Sequence, residues 1–475
     1  MPSSTRNDNT GIRNGSAGVF ARLGMALADW SERWFPDAFV FALGALVIVF
    51  FISLLMGTAA KDDVKYFGDG FWSLIPFTMQ MAIIILGGYV VATSPPIHAF
   101  IRQLANIPRT PRGAIAFVAF FSMVTSLISW GLSLIFSGIL VREIVKAKKV
   151  RGIDYRAIGA ASYLGLGSVW ALGLSSSAAL VMATPSSIPS PLLKISGVIP
   201  LSQTIYTWQS ISVAAILVIS CVIVAYFSAP AHSSKTAESF GITEEPEVPK
   251  VEERRTPAEW LEYSPVLSIV VSAIGLAYLA QVVAVRGPLS ALDLNTYNLL
   301  FLMLGLILHW RPRSFIQAVN NAVPATAGVL IQFPFYGGIF GIITMSRISG
   351  QLAHFFVNFS SPGTYPLLIA IYSGVLGMFV PSGGSKWIIE APYILQAAKD
   401  LHVNLGWVVQ IYNTSEALPN LINPFWMLPL LGILRVRARD LIGYGLLYFF
   451  ANSVLVLFLM WFFARTFPYV APLIP

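Results

Sequence analysis

The sequence predicts an all-α polytopic membrane protein made of two inverted repeats, with about nine transmembrane helices and two re-entrant hairpins. The 475-residue chain is 56% hydrophobic and only 11% charged, whereas soluble proteins carry about 25% charged residues. Its apolar residues form runs of about 20, the length that crosses a bilayer. Its basic residues lie in short loops between these runs, as in inner-membrane proteins. The formal charge of +8 therefore indicates membrane orientation, and we expect no nucleic-acid partner.

Nine apolar segments fit simple transmembrane helices. They are residues 36–57, 71–93, 157–184, 207–228, 264–285, 296–310, 322–345, 404–432 and 441–463. Residues 1–35 form a polar N-terminal tail without the pattern of a cleavable signal peptide. Residues 229–262 are rich in Pro and Glu, which predicts a disordered linker between two membrane halves. The halves are residues 36–228 and 263–465, and residues 466–475 form a C-terminal tail.

Two further apolar segments, residues 114–141 and 363–398, do not fit single crossings. The loops on both sides of 114–141 are basic, and the following one holds Arg142, Lys146, Lys148, Lys149, Arg151 and Arg156. Because basic loops stay in the cytoplasm, this segment enters and leaves on the same side, as a re-entrant hairpin with its tip near "SLISWGLS". The same rule places the N-terminus and the linker in the cytoplasm.

The second half repeats the order of the first. A displacement of about 250 residues pairs Gly113 with Gly363 and brings the tip "SWGLS" onto "FVPSG". A displacement of about 240 residues then pairs "SSSAALVMATP" with "TSEALPNLINP". Charge makes the two halves opposed, and inverted repeats with interrupted helices are typical of secondary transporters. The alternative is that two apolar halves resemble each other by composition alone.

Three ionisable residues lie at predicted membrane depth: Lys386, Glu390 and Glu416. A charge there costs at least about 2.5–3.5 kcal/mol, so each is a functional candidate. Lys386 follows the flexible "PSGGS", where backbone N–H groups could face an anion; alternatively it pairs with Glu390 at i+4. Glu416 could carry a proton or help bind Na⁺, or it could only hydrogen-bond within the helix bundle.

Hydroxyls and amides accompany these charges. The Ser/Thr cluster before Pro185 either lines a cavity or permits close helix packing. The predicted coupling-ion and cavity residues are Ser175, Ser176, Ser177, Thr184, Asn413, Thr414, Ser415, Glu416, Asn420 and Asn423. The five histidines are dispersed and predict no metal site, and no catalytic triad or paired carboxylates indicate an enzyme. We expect no cofactor other than a coupling ion, H⁺ or Na⁺, with Na⁺ near Glu416.

The motifs "VPSGGSKW", "ALPNLINPFWMLPLLGI" and "RARDLIGY" resemble the short-chain fatty acid transporter family, which includes acetoacetate and butyrate permeases. "SLISWGLSLIFSGILVREI" and "GLGSVWALGLSSSAALVMATP" resemble its first-half segments. The resemblance covers residues 25–465 and implies a monocarboxylate permease of the cytoplasmic membrane, with paired re-entrant hairpins and elevator-like motion. The chain departs from the family pattern in having Ser385 for a glycine, Glu416 for an aspartate, Ala171 for a histidine and Ser176 for a glycine.

We therefore expect a secondary transporter that imports a short-chain monocarboxylate, such as butyrate or acetoacetate, by cation symport. The predicted substrate-binding residues are Ser129, Trp130, Gly131, Ser382, Gly383, Gly384, Ser385, Lys386 and Trp387. In this hypothesis the tips hold the carboxylate, Lys386 supplies charge, and Trp130 and Trp387 bound the apolar tail. The expected partners are this substrate and the lipid bilayer, and a homodimer is left open. Alternatives are a transporter of a dicarboxylate or an aminoacyl compound, or a membrane-embedded enzyme.

Overall fold

The computed structural model describes residues 38–230, 235–242, 256–380, 382–423 and 425–473. Within these ranges the chain consists of helices and connecting segments, with no strand. The predicted N-terminal tail, residues 1–35, lies outside the described residues, as does half of the predicted linker, residues 229–262. The all-α prediction is thus confirmed for the part of the chain that carries the apolar segments.

The helices follow the predicted segments closely. In chain order the α-helices are Ala38–Leu55, Ala60–Phe71, Ile75–Ala92, Pro95–Leu104, Pro111–Ile128, Trp130–Ala147, Tyr155–Ser162, Ser177–Ala183, Ser190–Ser196, Trp208–Ser228, Pro257–Tyr263, Pro265–Arg286, Leu294–Leu308, Pro312–Ala322, Ala327–Met345, Ile348–Phe359, Tyr365–Phe379, Gly383–Asp400, Leu405–Ala417, Leu428–Leu434 and Ala438–Ala464. A π-helical turn covers Gly165–Val169, and 3₁₀ turns cover Trp170–Leu172, Pro185–Ser187, Leu201–Gln203, Ala237–Phe240, Val323–Thr326, Leu418–Leu421 and Phe425–Met427.

Seven helices in the described ranges are long and apolar enough to cross a membrane, and three shorter apolar helices accompany them. One of the seven, Pro265–Arg286, exposes large apolar side chains such as Ile274 and Val285. A helix that is apolar on all sides without being buried in protein is stable against lipid rather than water. The chain is therefore a polytopic membrane protein, as the composition predicts.

Each predicted hairpin is a pair of antiparallel helices. In the first, Pro111–Ala147, the break lies at Ser129, whose extended backbone ends one helix while its hydroxyl caps the next by accepting from Leu132 N at 3.3 Å. In the second, one helix is Tyr365–Phe379 and the other is Gly383–Asp400. The Tyr372 and Tyr393 hydroxyls lie 2.9 Å apart between these two helices. Re-entry of these hairpins from one membrane side stays a prediction.

Both predicted spans that follow a hairpin are interrupted. Residues 157–184 are broken between Leu172 and Ser177, and residues 404–432 are broken between Leu421 and Leu428. The order of hairpin, helix, break and short helix is thus the same in the two halves. This order agrees with two repeats, while their inverted relation stays a prediction.

The two halves meet through these elements. We call the two hairpins and the interrupted segments, residues 155–183 and 405–434, the hairpin group. Each hairpin packs on the interrupted segment that follows it, and these segments contact each other. The helices Ile75–Ala92 and Ala327–Met345, here called the facing helices, pack against the hairpins from the other side. The tips of both hairpins therefore lie between two bodies of helices.

Candidate functional site

A cavity lies where the hairpin tips meet the facing helices. Its volume is about 30 Å³, enough for about two water molecules. The described residues that line it are Met81, Ile85, Trp130, Leu166, Trp170, Ser177, Val329, Phe333, Ser382, Gly383, Gly384, Asn420 and Trp426. The cavity thus has an apolar wall from the facing helices and a more polar wall from the hairpin group.

The second tip presents an uncapped helix N-terminus to this cavity. The helix begins at Gly383, and its first N–H groups have no acceptor within the helix. Ser382 precedes it, but its side chain caps no backbone N–H and instead contacts the Ser385 hydroxyl. The N–H groups of Gly383, Gly384 and Ser385 therefore remain available, at the positive end of the helix dipole.

Both glycines of this tip are required by close packing. A Cβ on Gly383 would lie 2.5 Å from Trp170 Cη2, and one on Gly384 would lie 2.5 Å from Phe77 Cζ. Phe77 is itself stacked on Phe333 with ring centroids 5.5 Å apart. The backbone of the tip consequently packs against these two aromatic rings more closely than a residue with a side chain could.

The first tip is mostly capped by the protein itself. Trp130 N donates to Ser175 Oγ at 2.9 Å, and Leu132 N donates to Ser129 Oγ at 3.3 Å. Gly131 packs against the backbone of the helix Ile75–Ala92. Of the predicted substrate-binding residues in this tip, only Trp130 lines the cavity among the described residues. The two tips are therefore not equivalent as anion sites.

Lys386 lies within a buried network of charges. Its Nζ is 2.9 Å from Glu390 Oε1 and 2.8 Å from Glu416 Oε2, and it donates to the Ser373 carbonyl at 2.8 Å. The Glu416 contact has the distance of an ion pair, although its angles fall outside hydrogen-bond geometry. Lys386 therefore pairs with Glu390, as one of the two alternatives from the sequence has it, and also with the sequence-distant Glu416. It is not among the residues that line the cavity, and its predicted role in substrate binding stays a prediction.

The network contains one more carboxylate than it has cations. Lys386, Glu390 and Glu416 are each at most 2% exposed. Ser373 Oγ donates to Glu390 Oε2 at 2.5 Å, and the Lys386 ammonium also lies 4.4 Å from the Tyr412 ring centroid. If all three groups are ionised, the network carries a formal charge of −1. Such a buried excess charge is costly unless a proton or another cation compensates it.

Tryptophans form much of the cavity wall. Trp130 packs edge-on against Trp426 and Trp170, with ring centroids 5.3 and 6.5 Å apart. Trp387 lies elsewhere, packed against Tyr412 with centroids 4.8 Å apart. Trp170 and Trp426 are absent from the predicted site. The sequence could have indicated both as site residues, because each lies beside the interruption of a predicted span that follows a hairpin.

The predicted hydroxyls of the first half have separate roles. Ser175 caps the first tip, as described above, and Ser176 Oγ accepts from Ala179 N at 3.4 Å. Ser177 lines the cavity, and its hydroxyl lies 3.6 Å from Met81 Sδ. Thr184 Oγ1 accepts from Leu294 N at 3.0 Å, away from the cavity. Only Ser177 of this cluster is placed to contact a ligand there.

The predicted polar residues of the second half surround Glu416 unevenly. Asn420 lines the cavity, and its Nδ2 donates to the Glu416 carbonyl at 3.4 Å. Asn413 and Thr414 bond to Gln410, whereas the buried Ser415 hydroxyl has no partner among the described residues. Asn423 Nδ2 donates to the Met378 carbonyl at 3.3 Å. Asn420 and Glu416 are thus the members of this set closest to the second tip.

A larger vestibule adjoins the cavity. It has a volume of about 600 Å³ and shares Val329, Phe333, Ser382 and Trp426 with the cavity. Its other lining residues include Asn321 and Gly432, which lie close in sequence to the basic clusters 311–313 and 435–439. The vestibule therefore adjoins the second tip through Ser382 and is lined in part by residues that follow or precede these basic clusters in sequence.

Comparison with known proteins covers nearly the whole chain. The sequence profile described as "Short chain fatty acid transporter" matches residues 19–463. A protein of Escherichia coli strain K12 is 33% identical over 429 residues, 90% of this chain and 96% of its own. One of Haemophilus influenzae is 31% identical over 433 residues, with the same coverage. Both are named "Putative short-chain fatty acid transporter".

Two solved transporter structures share the fold. The crystal structure of the Alcanivorax borkumensis YdaH transporter aligns with a TM-score of 0.60 at 14% identity, covering 91% of this chain and all of that one. Neisseria gonorrhoeae MtrF, whose title refers to antimetabolite efflux pumps, aligns with a TM-score of 0.58 at 13% identity, covering 96% of this chain and 99% of that one. At such identities the likeness concerns the fold alone.

Proposed function

Since the chain belongs to the short-chain fatty acid transporter family, we propose that it takes up short-chain fatty acids or related monocarboxylates, such as butyrate or acetoacetate, by cation symport across the cytoplasmic membrane. Basic loops place the N-terminus in the cytoplasm in this proposal. The vestibule beside the basic clusters then opens inward, so that the structure is an inward-facing state.

The observation that carries the proposal is the uncapped second tip beside the cavity. Three backbone N–H groups at Gly383–Ser385 can donate to an anion, and the helix dipole favours negative charge at the same place. The cavity of about 30 Å³ is too small for a whole butyrate. In this proposal the carboxylate therefore lies at the tip, and the apolar tail extends along Val329 and Phe333 into the adjoining vestibule. A second carboxylate would find no cation there among the lining residues, so the cavity favours monocarboxylates over dicarboxylates.

The charge network supports coupling to a cation. Glu416 lies between Lys386 and the second tip, since its Cγ would be 3.6 Å from a Cβ on Gly383. One proton or Na⁺ at Glu416 would bring the network to zero net charge. We propose that this cation enters and leaves together with the carboxylate, so that one cation accompanies one substrate anion.

The position of the cavity supports an elevator-type mechanism. Substrate would lie between the hairpin group and the facing helices. A rigid displacement of the hairpin group past the facing helices would carry the cavity from one side of the membrane to the other. Because the hairpin group would move as a rigid body in this proposal, the second tip would keep the same backbone conformation, and therefore the same N–H donors, on both sides of the membrane.

Uptake by purified protein in proteoliposomes tests this function. The panel contains labelled C2–C6 monocarboxylates, acetoacetate and succinate, with imposed gradients of protons, of Na⁺ or of neither. We expect saturable accumulation of butyrate or acetoacetate under one of the two cation gradients, and little uptake of succinate. Absence of saturable monocarboxylate uptake under every gradient would contradict the proposal.

A further inference from the structure

Two of the tryptophans that line the cavity carry buried indole N–H groups without a partner in the described residues. Trp130 and Trp170 are 8% and 6% exposed, and neither Nε1 donates to an acceptor in the described part of the chain. By contrast, the buried Trp407 Nε1 donates to the Met460 carbonyl at 3.1 Å. Because buried donors are nearly always paired, two unpaired donors in one cavity indicate that a ligand supplies the acceptor.

The Trp170 ring contacts the second tip, and the Trp130 ring packs against Trp170. The Cη2 and Cζ2 atoms of Trp170 would lie 2.5 and 2.9 Å from a Cβ on Gly383. In an indole ring Cζ2 is bonded to Cε2, which is bonded to Nε1, so the ring edge of Trp170 that contacts the second tip lies two bonds from its Nε1. Trp130, from the first tip, packs edge-on against Trp170. Two indoles of the first half thus lie around the same cavity as Gly383 and Gly384 of the second half.

The chemistry of these donors specifies the ligand. An indole N–H and a backbone N–H can donate but cannot accept. An ionised carboxylate accepts through two oxygens and carries no hydrogen to oppose the donors. A neutral amide of the same shape presents an NH₂ group, which would leave donors facing donors. Met81, Ile85 and Phe333 form an apolar wall of the cavity. The part of the ligand beyond the carboxylate must therefore be apolar.

Building on the proposed function, we propose that Trp130 and Trp170 bind the substrate carboxylate through their indole N–H groups, together with the backbone N–H groups of the second tip. This pair selects ionised monocarboxylates over neutral isosteres such as butyramide. Lys386 contributes to the site only through Glu416, and the carboxylate is bound by neutral donors.

Binding to the purified full-length protein in lipid nanodiscs, measured by calorimetry, tests this inference apart from transport. Trp170→Phe and Trp130→Phe remove one donor each and keep an aromatic ring. We expect each variant to bind butyrate about 10- to 100-fold more weakly, as for loss of a hydrogen bond to a charged group. Wild type should bind butyrate at least about 10-fold more tightly than butyramide.

Trp387→Phe is the matched control. Trp387 also has an indole N–H without a partner in the described residues, but it packs against Tyr412 outside the cavity. Its loss should change butyrate affinity by less than about twofold. As a direct readout, ultraviolet resonance Raman spectra report indole hydrogen bonding, and butyrate should shift signals that are missing from the spectra of Trp130→Phe and Trp170→Phe.

The outcomes separate this inference from the proposed function. If butyrate binds all three variants like wild type, or if Trp387→Phe weakens binding as much as Trp170→Phe, the indole assignment is wrong while monocarboxylate transport stands. If succinate or benzoate binds in a Trp170-dependent way and no short-chain monocarboxylate does, the indole assignment stands and the proposed substrate is wrong. If none of these carboxylates binds or alters the indole signals, both are overturned.

Discussion

Lys386 neutralises charge inside the protein rather than meeting ligand at the cavity. Its ammonium contacts two carboxylates and a backbone carbonyl, and all three charged side chains are at most 2% exposed. In such surroundings an ion pair is stable only as a complete set of partners, because each ion has lost its hydration. The network therefore links the second hairpin to the interrupted segment that carries Glu416.

Replacing the cation alone should destabilise the fold. Lys386→Met leaves two buried carboxylates without a partner, so we expect the free energy of unfolding to fall by about 3–5 kcal/mol. Thermal unfolding of the detergent-purified protein measures this loss as a lower midpoint and a lower folded yield.

The matched control neutralises the whole network. In Lys386→Met combined with Glu390→Gln and Glu416→Gln no uncompensated charge is buried, so most of the lost stability should return. An unfolding midpoint for Lys386→Met equal to that of wild type would show that the contacts with Glu390 and Glu416 contribute nothing to the fold.

At the scale of single residues, the sequence could identify which residues carry charge in the membrane but not which partners their side chains contact. It singled out Lys386, Glu390 and Glu416 as charges at membrane depth, and it offered the pairing at i+4 as one of two alternatives. The contact with Glu416 depends on how two helices cross, which no local pattern records. Trp170 was missed because a tryptophan in an apolar run is ordinarily a packing residue; only the structure shows its unpaired N–H at a cavity.

Among the elements, the second hairpin has the most specialised tip. A helix that begins with two glycines loses helix propensity, since alanine is favoured over glycine by about 1 kcal/mol in a helix. The contacts with Trp170 and Phe77 explain this choice, because a Cβ at either glycine would overlap an aromatic ring. The tip is thus shaped for close approach to a cavity at the expense of helix stability.

Gly384→Ala should impair transport despite its better helix propensity. The new Cβ would lie 2.5 Å from Phe77 Cζ, and Phe77 is buried and stacked on Phe333. Overpacking of this kind costs about 1–3 kcal/mol, so we expect butyrate uptake to fall about 10-fold. Initial rates in proteoliposomes, normalised to the amount of reconstituted protein, measure the effect.

Gly350→Ala is the matched control, since it makes the same glycine-to-alanine change in a helix without a steric clash. Gly350 lies in the helix Ile348–Phe359, and a Cβ there meets nothing within 4 Å. Its uptake rate should equal that of wild type. Equal rates for Gly384→Ala and Gly350→Ala would refute the claim that the second tip needs a bare backbone.

The elements themselves were largely predictable. Loop charge indicated the first helical pair, and apolar length with the internal repeat indicated the second, while the Ser/Thr clusters followed by proline marked both interrupted segments. The unequal tips were not predictable, since Ser129 and Ser382 each directly precede the second helix of their hairpin. Ser129 caps the backbone, whereas Ser382 contacts another side chain, and this difference arises from tertiary packing around each tip.

For the whole molecule, the proposed elevator-type mechanism requires relative motion of the hairpin group and the facing helices. Met81 belongs to a facing helix and Ser177 to the hairpin group, and their side chains are 3.6 Å apart. This contact spans the surface along which the proposed motion occurs. It also borders the cavity, so it must change when the cavity is carried across the membrane.

A cross-link at this contact should stop transport. In a background lacking the single native cysteine, Cys221→Ala, the pair Met81→Cys and Ser177→Cys is joined by a short thiol reagent that is cleavable by reductant. We expect uptake of butyrate to stop on cross-linking and to recover on reduction. Each single-cysteine variant, treated with the same reagent, measures how much uptake is lost by modifying one cavity residue without a cross-link. Unchanged uptake by fully cross-linked protein would exclude movement along this surface.

The central claim is that Glu416 carries the cation that accompanies the substrate anion. Its most direct test is accumulation of labelled butyrate in proteoliposomes under imposed inward proton or Na⁺ gradients, compared between wild type, Glu416→Asp and Glu416→Gln. Glu416→Asp retains the carboxylate and should retain accumulation. Glu416→Gln makes the network neutral, so it should lose gradient-driven accumulation while still exchanging internal for external butyrate. Accumulation by Glu416→Gln equal to that of wild type would contradict the account.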